Sequence, residues 1–339
     1  MYNISMFWNM LRPFLSGAAF GAALTATAIH QPDAIIGQMG FRNWHMVTTF
    51  LTASGTSTLF VSVLQRLGYL RLTPRSYSTI NLFGPLDANI IGGWLLGAGM
   101  AVSGSCPGTV FAQVGSGISS GLYTLGGALL GGVIWSGFLR PALNNRAKPK
   151  SEVTDVGSHP LTLDKWIGIN QTTALLFVES IFAIAVTAVV YLASPESDGL
   201  VGPVSGGVLI AGAQLVSIVT RKSLLGTSSS FEEVGDYFWW AIGRGVAPKS
   251  YSAIALTVGM TVGALAVSSA SPSVRAIPEV TIEPARALLG GMLLAVGSRM
   301  AGGCTSGHGI SGISLLSISS FVSVAAMFAG GIFVAALIG

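Results

Sequence analysis

The two cysteines of this 339-residue chain each sit in a glycine-rich polar stretch. The first stretch is Gly104-Ser-Cys-Pro-Gly-Thr109, and the second is Gly302-Gly-Cys-Thr-Ser-Gly-His-Gly-Ile-Ser-Gly312. In the first, Pro107 fits the opening position of a short helix, where its missing N–H costs nothing. The N–H groups that follow, at Gly108 and Thr109, would then be free, and the helix dipole adds partial positive charge there. A small anion can be held at such an end, with the Cys106 thiol as a weak extra donor. The plain alternative is a glycine-rich turn around a buried, inert cysteine.

In the second stretch the glycines, Gly303 and Gly307 among them, expose backbone N–H groups, and Thr305, Ser306 and His308 add polar side chains. Arg299 lies just upstream of Cys304 and is read as an electrostatic partner for an anion, against the alternative that it snorkels to a membrane face. His308 is open between a pathway group and a satisfied packing histidine. A third polar run, Leu225-Gly-Thr-Ser-Ser-Ser230, offers the hydroxyls of Thr227 and Ser228 as a hydrogen-bond relay; a solvated loop explains them nearly as well.

Other chemistries find no support. Cys106 and Cys304, with scattered histidines, make no recognisable metal-ligand set, and two cysteines imply no disulfide framework. No phosphate-binding loop, dinucleotide fingerprint or hydrolase elbow is present, so neither a cofactor nor ATP-driven transport by this chain alone is expected. The net charge of +4 does not indicate nucleic acid, because cytoplasmic loops of membrane proteins are normally rich in Lys and Arg.

The elements that must position these stretches are membrane spans. Only 9% of residues are charged and 51% are hydrophobic, too few charges to coat a water-facing surface. The charges crowd into short stretches separated by apolar runs of about 20 residues, the length that crosses roughly 30 Å of hydrocarbon. About nine spans are predicted, near 8–29, 43–65, 88–105, 117–139, 170–193, 201–220, 251–270, 284–302 and 315–338. Four shorter segments, 31–41, 106–115, 223–235 and 304–313, are too short to cross. At membrane depth such segments need protein or a water-filled cavity over their backbone. The stretch 231–250 is ambiguous, since Tyr237, Trp239 and Trp240 fit a membrane interface.

Basic residues set the orientation. With a cytoplasmic N-terminus, one side receives Arg12, Arg66, Arg71, Arg75, Arg140, Arg146, Lys148, Lys150, Lys165, Arg221, Lys222, Arg244 and Lys249. The other side keeps only Arg42, Arg275 and Arg286. This asymmetry favours the N-terminus inside and the C-terminus outside.

The chain also repeats itself. The run from Ile91 to Cys106 aligns without gaps on the run from Leu289 to Cys304. Gly92, Gly93, Leu95, Leu96, Gly99, Gly104 and Cys106 match Gly290, Gly291, Leu293, Leu294, Gly297, Gly302 and Cys304. The expected organisation is a first repeat over 1–140, a cytoplasmic linker with a connecting span over 141–200, and a second repeat over 201–339. One extra span between two four-span repeats starts the second on the opposite side. The repeats are therefore expected to be inverted, with the two thiols facing each other along one pathway.

At these cysteine motifs the sequence resembles the YeeE/YedE family of membrane proteins, the sulfur or thiosulfate transporters. The closest likeness runs from Gly297 to Gly312, with Gly104–Thr109 as its first-repeat counterpart. The resemblance implies an all-α polytopic membrane protein of two inverted repeats with short re-entrant helices. It also implies a central constriction and thiosulfate, or a related sulfur anion, passing between the thiols of Cys106 and Cys304. Family members can carry a third pathway cysteine where this chain has Gly226-Thr227-Ser228. A plasma or inner membrane, the lipid bilayer as partner, and a cytoplasmic sulfur-accepting protein as candidate partner complete the expectation. Two other classes stay open: a membrane thiol redox or sulfur-transfer protein, and a passive channel for hydrogen sulfide.

Overall fold

The structure, a computed structural model, describes residues 2–146, 159–193, 199–248, 250–275 and 280–338, with side chains described for these except at 2–7, 145–146 and 275. Part of the expected linker, residues 147–158, lies outside the described residues. So do Lys148, Lys150 and Lys249 and the side chains of Arg146 and Arg275 from the charge tally. Among the described residues the chain is helical, apart from loops and one isolated antiparallel bridge between Thr162 and Ser317. That is the form lipid demands, because a helix satisfies its own backbone polar groups.

The first half runs α1 (Tyr2–Ala26), α2 (Pro32–Met39), α3 (His45–Arg66), α4 (Asp87–Ser103), α5 (Thr109–Ser116) and α6 (Ser119–Ile134). A π-helical turn, Trp135–Leu139, carries α6 into α7 (Arg140–Arg146). Between the halves lie α8 (Leu163–Ile167) and the apolar, largely exposed α9 (Gln171–Ala193). The second half runs α10 (Pro203–Arg221), α11 (Ser229–Ala241), α12 (Ser252–Ala270), α13 (Pro272–Arg275) and α14 (Pro284–Met300). A π-helical stretch Thr305–Gly312, a short 3₁₀ turn Ile313–Leu315 and α15 (Ile318–Ile338) complete it.

A helix stands at each of the nine expected span positions, but six of them are long and apolar enough to cross a membrane by those criteria. These are His45–Arg66, Ser119–Asn144, Gln171–Ala193, Pro203–Arg221, Ser252–Ala270 and Ile318–Ile338. Of the other three, α4 and α14 are 17 residues each. The latter bends by 43° into Thr305–Leu315, which would make a seventh, broken span. Both α4 and α14 stop short because the chain turns at the left-handed Gly104 and Gly302 that follow them. The four short segments are short helices, with one shift. The third is helical from Ser229 to Ala241 rather than over 223–235, and it takes in much of the ambiguous aromatic stretch. There Trp239 donates from Nε1 to the Val133 carbonyl at 2.9 Å, docking α11 on α6.

The helix pairs are organised around α4 and α14, which cross backbone to backbone. A Cβ on Gly92 would fall on Ala301 N and sit 2.7 Å from Gly297 O, and one on Gly99 would sit 2.7 Å from Gly290 O. The repeat alignment equates Gly92 with Gly290 and Gly99 with Gly297, so the two contacts exchange under it. The next glycines behave alike: Gly93 packs on the Ser323 carbonyl of α15, and its counterpart Gly291 packs on the Thr124 carbonyl of α6. Likewise α1 packs on α12 while α10 packs on α3. Small residues permit this close approach, and dispersion between the backbones then holds the pairs.

Adjacent glycines of α6 isolate the effect. A Cβ at Gly127 would overlap the Leu288 carbonyl of α14, whereas one at Gly126 meets nothing within 4 Å. Gly127→Ala is expected to lower thermal stability in detergent by about 1–3 kcal/mol, while Gly126→Ala leaves it unchanged or raises it by under ~1 kcal/mol through helix propensity. Equal melting shifts in the two variants would refute the packing account.

Candidate functional site

Both cysteine motifs begin with a glycine that only a left-handed backbone can supply. Gly104 ends α4 at φ 60°, and Gly302 follows α14 at φ 79°. An L side chain is strained there, so the glycine two residues before each cysteine turns the chain back between the helices. The carbonyl of each cysteine then opens a new helical turn. Val110 N–H donates to Cys106 O at 3.0 Å, and His308 N–H donates to Cys304 O at 2.7 Å.

Cys106 and Thr109 exchange bonds in the manner of a capping box. Cys106 N–H donates to Thr109 Oγ1 at 2.8 Å, and Thr109 N–H donates to Cys106 Sγ at 3.3 Å. Two expectations change as a result. The regular helix α5 starts at Thr109 rather than at Pro107, which lies with Gly108 in the turn leading into it. The Thr109 N–H is not free for an anion, because the sulfur occupies it. Beneath this turn Gln113 donates to the carbonyls of His30 at 2.9 Å and Gly104 at 2.8 Å and accepts from Ser105, fixing the motif to the α1–α2 connection.

Cys304 is equally buried, with hydroxyls as its neighbours. Its Sγ lies 3.3 Å from Thr227 Oγ1 and 3.3 Å from Ser306 Oγ. The run Thr227–Ser230 therefore contributes directly: Thr227 touches the thiol, Ser228 is buried at the N-terminal end of α11, and Ser230 Oγ donates to the Thr227 carbonyl at 2.7 Å. Thr305 Oγ1 points the other way, to the sulfurs of Met100 and Met327.

A small cavity of about 40 Å³ joins the two motifs. Cys106, Gly108 and Thr109 line one side and Thr305 and Ser306 another, while Phe20, Ile35, Met46, Phe50 and Ile210 close the remainder, and the surface they present is almost wholly apolar. It has room for a few waters at most, and Ser306 is shared between the cavity and Cys304. The order Cys106, cavity, Ser306, Cys304, Thr227 is thus continuous, and it draws on both halves of the chain.

Two expected residues turn out to have structural partners. His308 is buried, with Nε2 3.0 Å from the Ala301 carbonyl and Nδ1 3.0 Å from Ser320 Oγ. A carbonyl only accepts, so Nε2 carries the proton and a neutral ring accepts at Nδ1. Arg299 pairs with Glu232 of α11, whose other oxygen takes Arg140 at 2.6 Å; Arg140 also holds Asp236 at 2.6 Å. This network ties α14, α11 and the start of α7 together.

The cation nearest Cys304 is Arg75, which the sequence placed only in a charge tally. It lies in the extended segment 67–86 between α3 and α4. Its Nε donates to Gly307 O at 2.8 Å and its Nη1 to Gly302 O at 2.8 Å. The segment is pinned by Asp87, whose carboxylate accepts from Ile80 N–H at 2.8 Å and Leu82 N–H at 2.6 Å, and by Asn89, which accepts from Ser78 N–H at 2.8 Å. Gly303 lies directly under the Arg75 guanidinium and the His308 ring. The one available signal was an arginine far from any carboxylate in sequence, inside an unusually long connection.

Comparison with known proteins gives three likenesses. The model of the sulphur transport family matches residues 27–333. The thiosulfate transporter TsuA of Spirochaeta thermophila is 24% identical over 333 residues, covering 94% of each chain. A probable transporter of Xylella fastidiosa is 29% identical over 142 residues, which is 40% of this chain and 93% of that protein.

The ion-pair network generates a stability test. Removing the Glu232 charge leaves Arg299 without a carboxylate among the described residues, whereas removing that of Asp236 leaves Arg140 with Glu232. Glu232→Gln is expected to lower thermal stability by about 1–3 kcal/mol, a buried-pair loss discounted for the partial exposure of these groups. Asp236→Asn should cost less, and the reverse order of melting temperatures would contradict this assignment.

Proposed function

The chain belongs to the sulphur transport (YeeE/YedE) family of integral membrane proteins, and from that premise we propose that it takes up thiosulfate through the Cys106–Cys304 line. The observation that carries the reading is the shared cavity. It brings the thiol motif of one half against Ser306 of the other, and Ser306 in turn contacts Cys304.

The mechanism follows from the donors on each side. A sulfur oxyanion reaches the Cys106 turn and enters the cavity. It exchanges a hydrogen bond with the Ser306 hydroxyl, and is taken over by Cys304 and Thr227. A protonated thiol is a weak donor and does not trap the anion covalently. Weak sequential sites suit conduction, which needs release as much as entry. Thr227 stands where relatives can carry a third cysteine, and its hydroxyl serves as the donor there.

The topology proposed with this function is nine spans in two inverted repeats, 1–140 and 201–339, joined by a linker and connecting span over 141–200. The N-terminus is cytoplasmic, the C-terminus outside, and the membrane a plasma or inner membrane. Support comes from the exchange of contacts between Gly92–Gly297 and Gly99–Gly290 on antiparallel α4 and α14, which a pseudo-twofold axis between the helices would produce. The Xylella fastidiosa relative, matched almost in full over 142 residues, is the size of one such repeat. A cytoplasmic protein that accepts the sulfur would complete the route.

A second reading has one observation in its favour. Two hydroxyls within 3.3 Å of Cys304 Sγ are also what a reactive thiolate would need, so a sulfur-transfer role competes with passage. Uptake of labelled thiosulfate into proteoliposomes separates the two. Cys106→Ala and Cys304→Ala, each eluting as folded protein, are expected to reduce uptake about 10-fold or more, the worth of a hydrogen bond to a charged group. Full uptake by both variants would refute the thiol-lined route. Stoichiometric labelling of Cys304 by thiosulfate sulfur, without net uptake, would favour sulfur transfer.

A further inference from the structure

We propose that Arg75, which is not among the residues lining the cavity, is the fixed positive charge of an anion seat beside Cys304, and that it takes one charged oxygen of a divalent sulfur oxyanion. This rests on the transport reading above. Arg75 uses Nε and Nη1 to hold the carbonyls of Gly307 and Gly302. Its Nη2 makes no hydrogen bond, and the guanidinium faces no carboxylate, among the described residues. A buried or half-buried guanidinium without an anion is costly, and this one is held in place rather than left to reach solvent.

Glycine backbone, rather than side chains, surrounds the guanidinium. A Cβ on Gly307 would sit 3.0 Å from Arg75 Nη2 and 3.7 Å from Cys304 Sγ, so the cation and the thiol both lie against Gly307. Gly226, just before Thr227, has a Cβ position 3.9 Å from the same nitrogen. Gly303 would place a Cβ 2.9 Å from Nη1. Three glycines thus keep side chains off the guanidinium where it approaches the thiol. Cys304 and Thr227 supply neutral donors, and Arg75 supplies the charge that separates an anion from neutral hydrogen sulfide.

The two carbonyl bonds also give Arg75 a tethering role, so the test must read charge. Proteoliposomes of wild type, Arg75→Lys, Arg75→Gln and Gly307→Ala would be assayed for thiosulfate uptake against concentration and for hydrogen sulfide entry, with melting temperatures measured alongside. Arg75→Gln is expected to raise the KM for thiosulfate about 10- to 100-fold, the loss of a charge-assisted hydrogen bond, and to leave hydrogen sulfide entry unchanged. Arg75→Lys should fall between it and wild type. Gly307→Ala keeps the charge but narrows the seat, and should impair thiosulfate uptake as well. A folded Arg75→Gln with wild-type KM overturns the seat and leaves the transport reading standing. Equal loss in the Lys and Gln variants, matched by a collapsed melting transition, assigns Arg75 a purely structural role and also overturns it. Should Arg75→Gln not fold, unaltered uptake by Gly307→Ala is the overturning result. A wild type that moves no sulfur oxyanion fails the transport reading, and the seat with it.

Discussion

The backbone contact between α4 and α14 is the constraint from which the site follows. Each helix ends in a left-handed glycine, and each glycine is followed two residues later by a cysteine. Because the helices run antiparallel and touch at Gly92–Gly297 and Gly99–Gly290, the two turns leave from opposite ends of one rigid pair. They can meet only by folding back along it. The meeting point is fixed by the Thr305 contact to Met100, inside α4, and to Met327 on the neighbouring α15. A side chain at any of these four glycines would separate the helices and shift both cysteines at once. The glycines therefore act on the site through geometry rather than through their N–H groups.

The two cysteines are held differently, and the difference has consequences for motion. Cys106 sits in a reciprocal pair with Thr109 in which backbone N–H groups donate. Such donors cannot rotate away, so this sulfur is held by the fold itself. Cys304 is approached by the hydroxyls of Thr227 and Ser306, which turn about a single bond and can re-aim at a passing group. It also stands at the start of the π-helical stretch Thr305–Gly312, a geometry that recurs at functional sites. One half of the site is thus rigid and the other adaptable, although the two motifs descend from matching sequence.

Much of this was readable in the sequence because it follows from local pattern. The apolar runs gave helices at all nine expected positions, and the glycine register of Ile91–Cys106 on Leu289–Cys304 pointed to the helix pair that organises the fold. The cysteines, Thr227, Thr305 and Ser306 were found because polar groups in an apolar run are conspicuous. What could not be read is which charge meets which group across the fold. Arg299 looked poised for an anion because it lies five residues before Cys304, yet Glu232, 67 positions away, holds it. Arg75 lies 229 positions from Cys304 in a segment without periodicity, and only the placement of Asp87 and Asn89 on α4 reveals where that segment goes. Pro107 was misjudged by two residues because the sulfur of Cys106, acting as a cap, satisfies the N–H that a free helix end would have offered.

Where the charge stands in this arrangement matters for conduction. A guanidinium facing a cavity of about 40 Å³, walled by Phe20, Phe50 and Ile210, would attract a dianion strongly in a low-dielectric space and hold it there. The cavity instead carries no charged side chain in its lining, and a neutral donor such as Ser306, shared with Cys304, is worth only roughly 0.5–1.5 kcal/mol net. Arg75 lies outside that lining, half-buried with its guanidinium shared between two carbonyls, which limits the depth of the well. On the proposed reading this order explains why the thiol nearest the cation has the more adaptable donors. The anion must leave fixed, weak contacts for a charged one without ever being bound by both, and rotating hydroxyls allow that hand-over without moving the backbone.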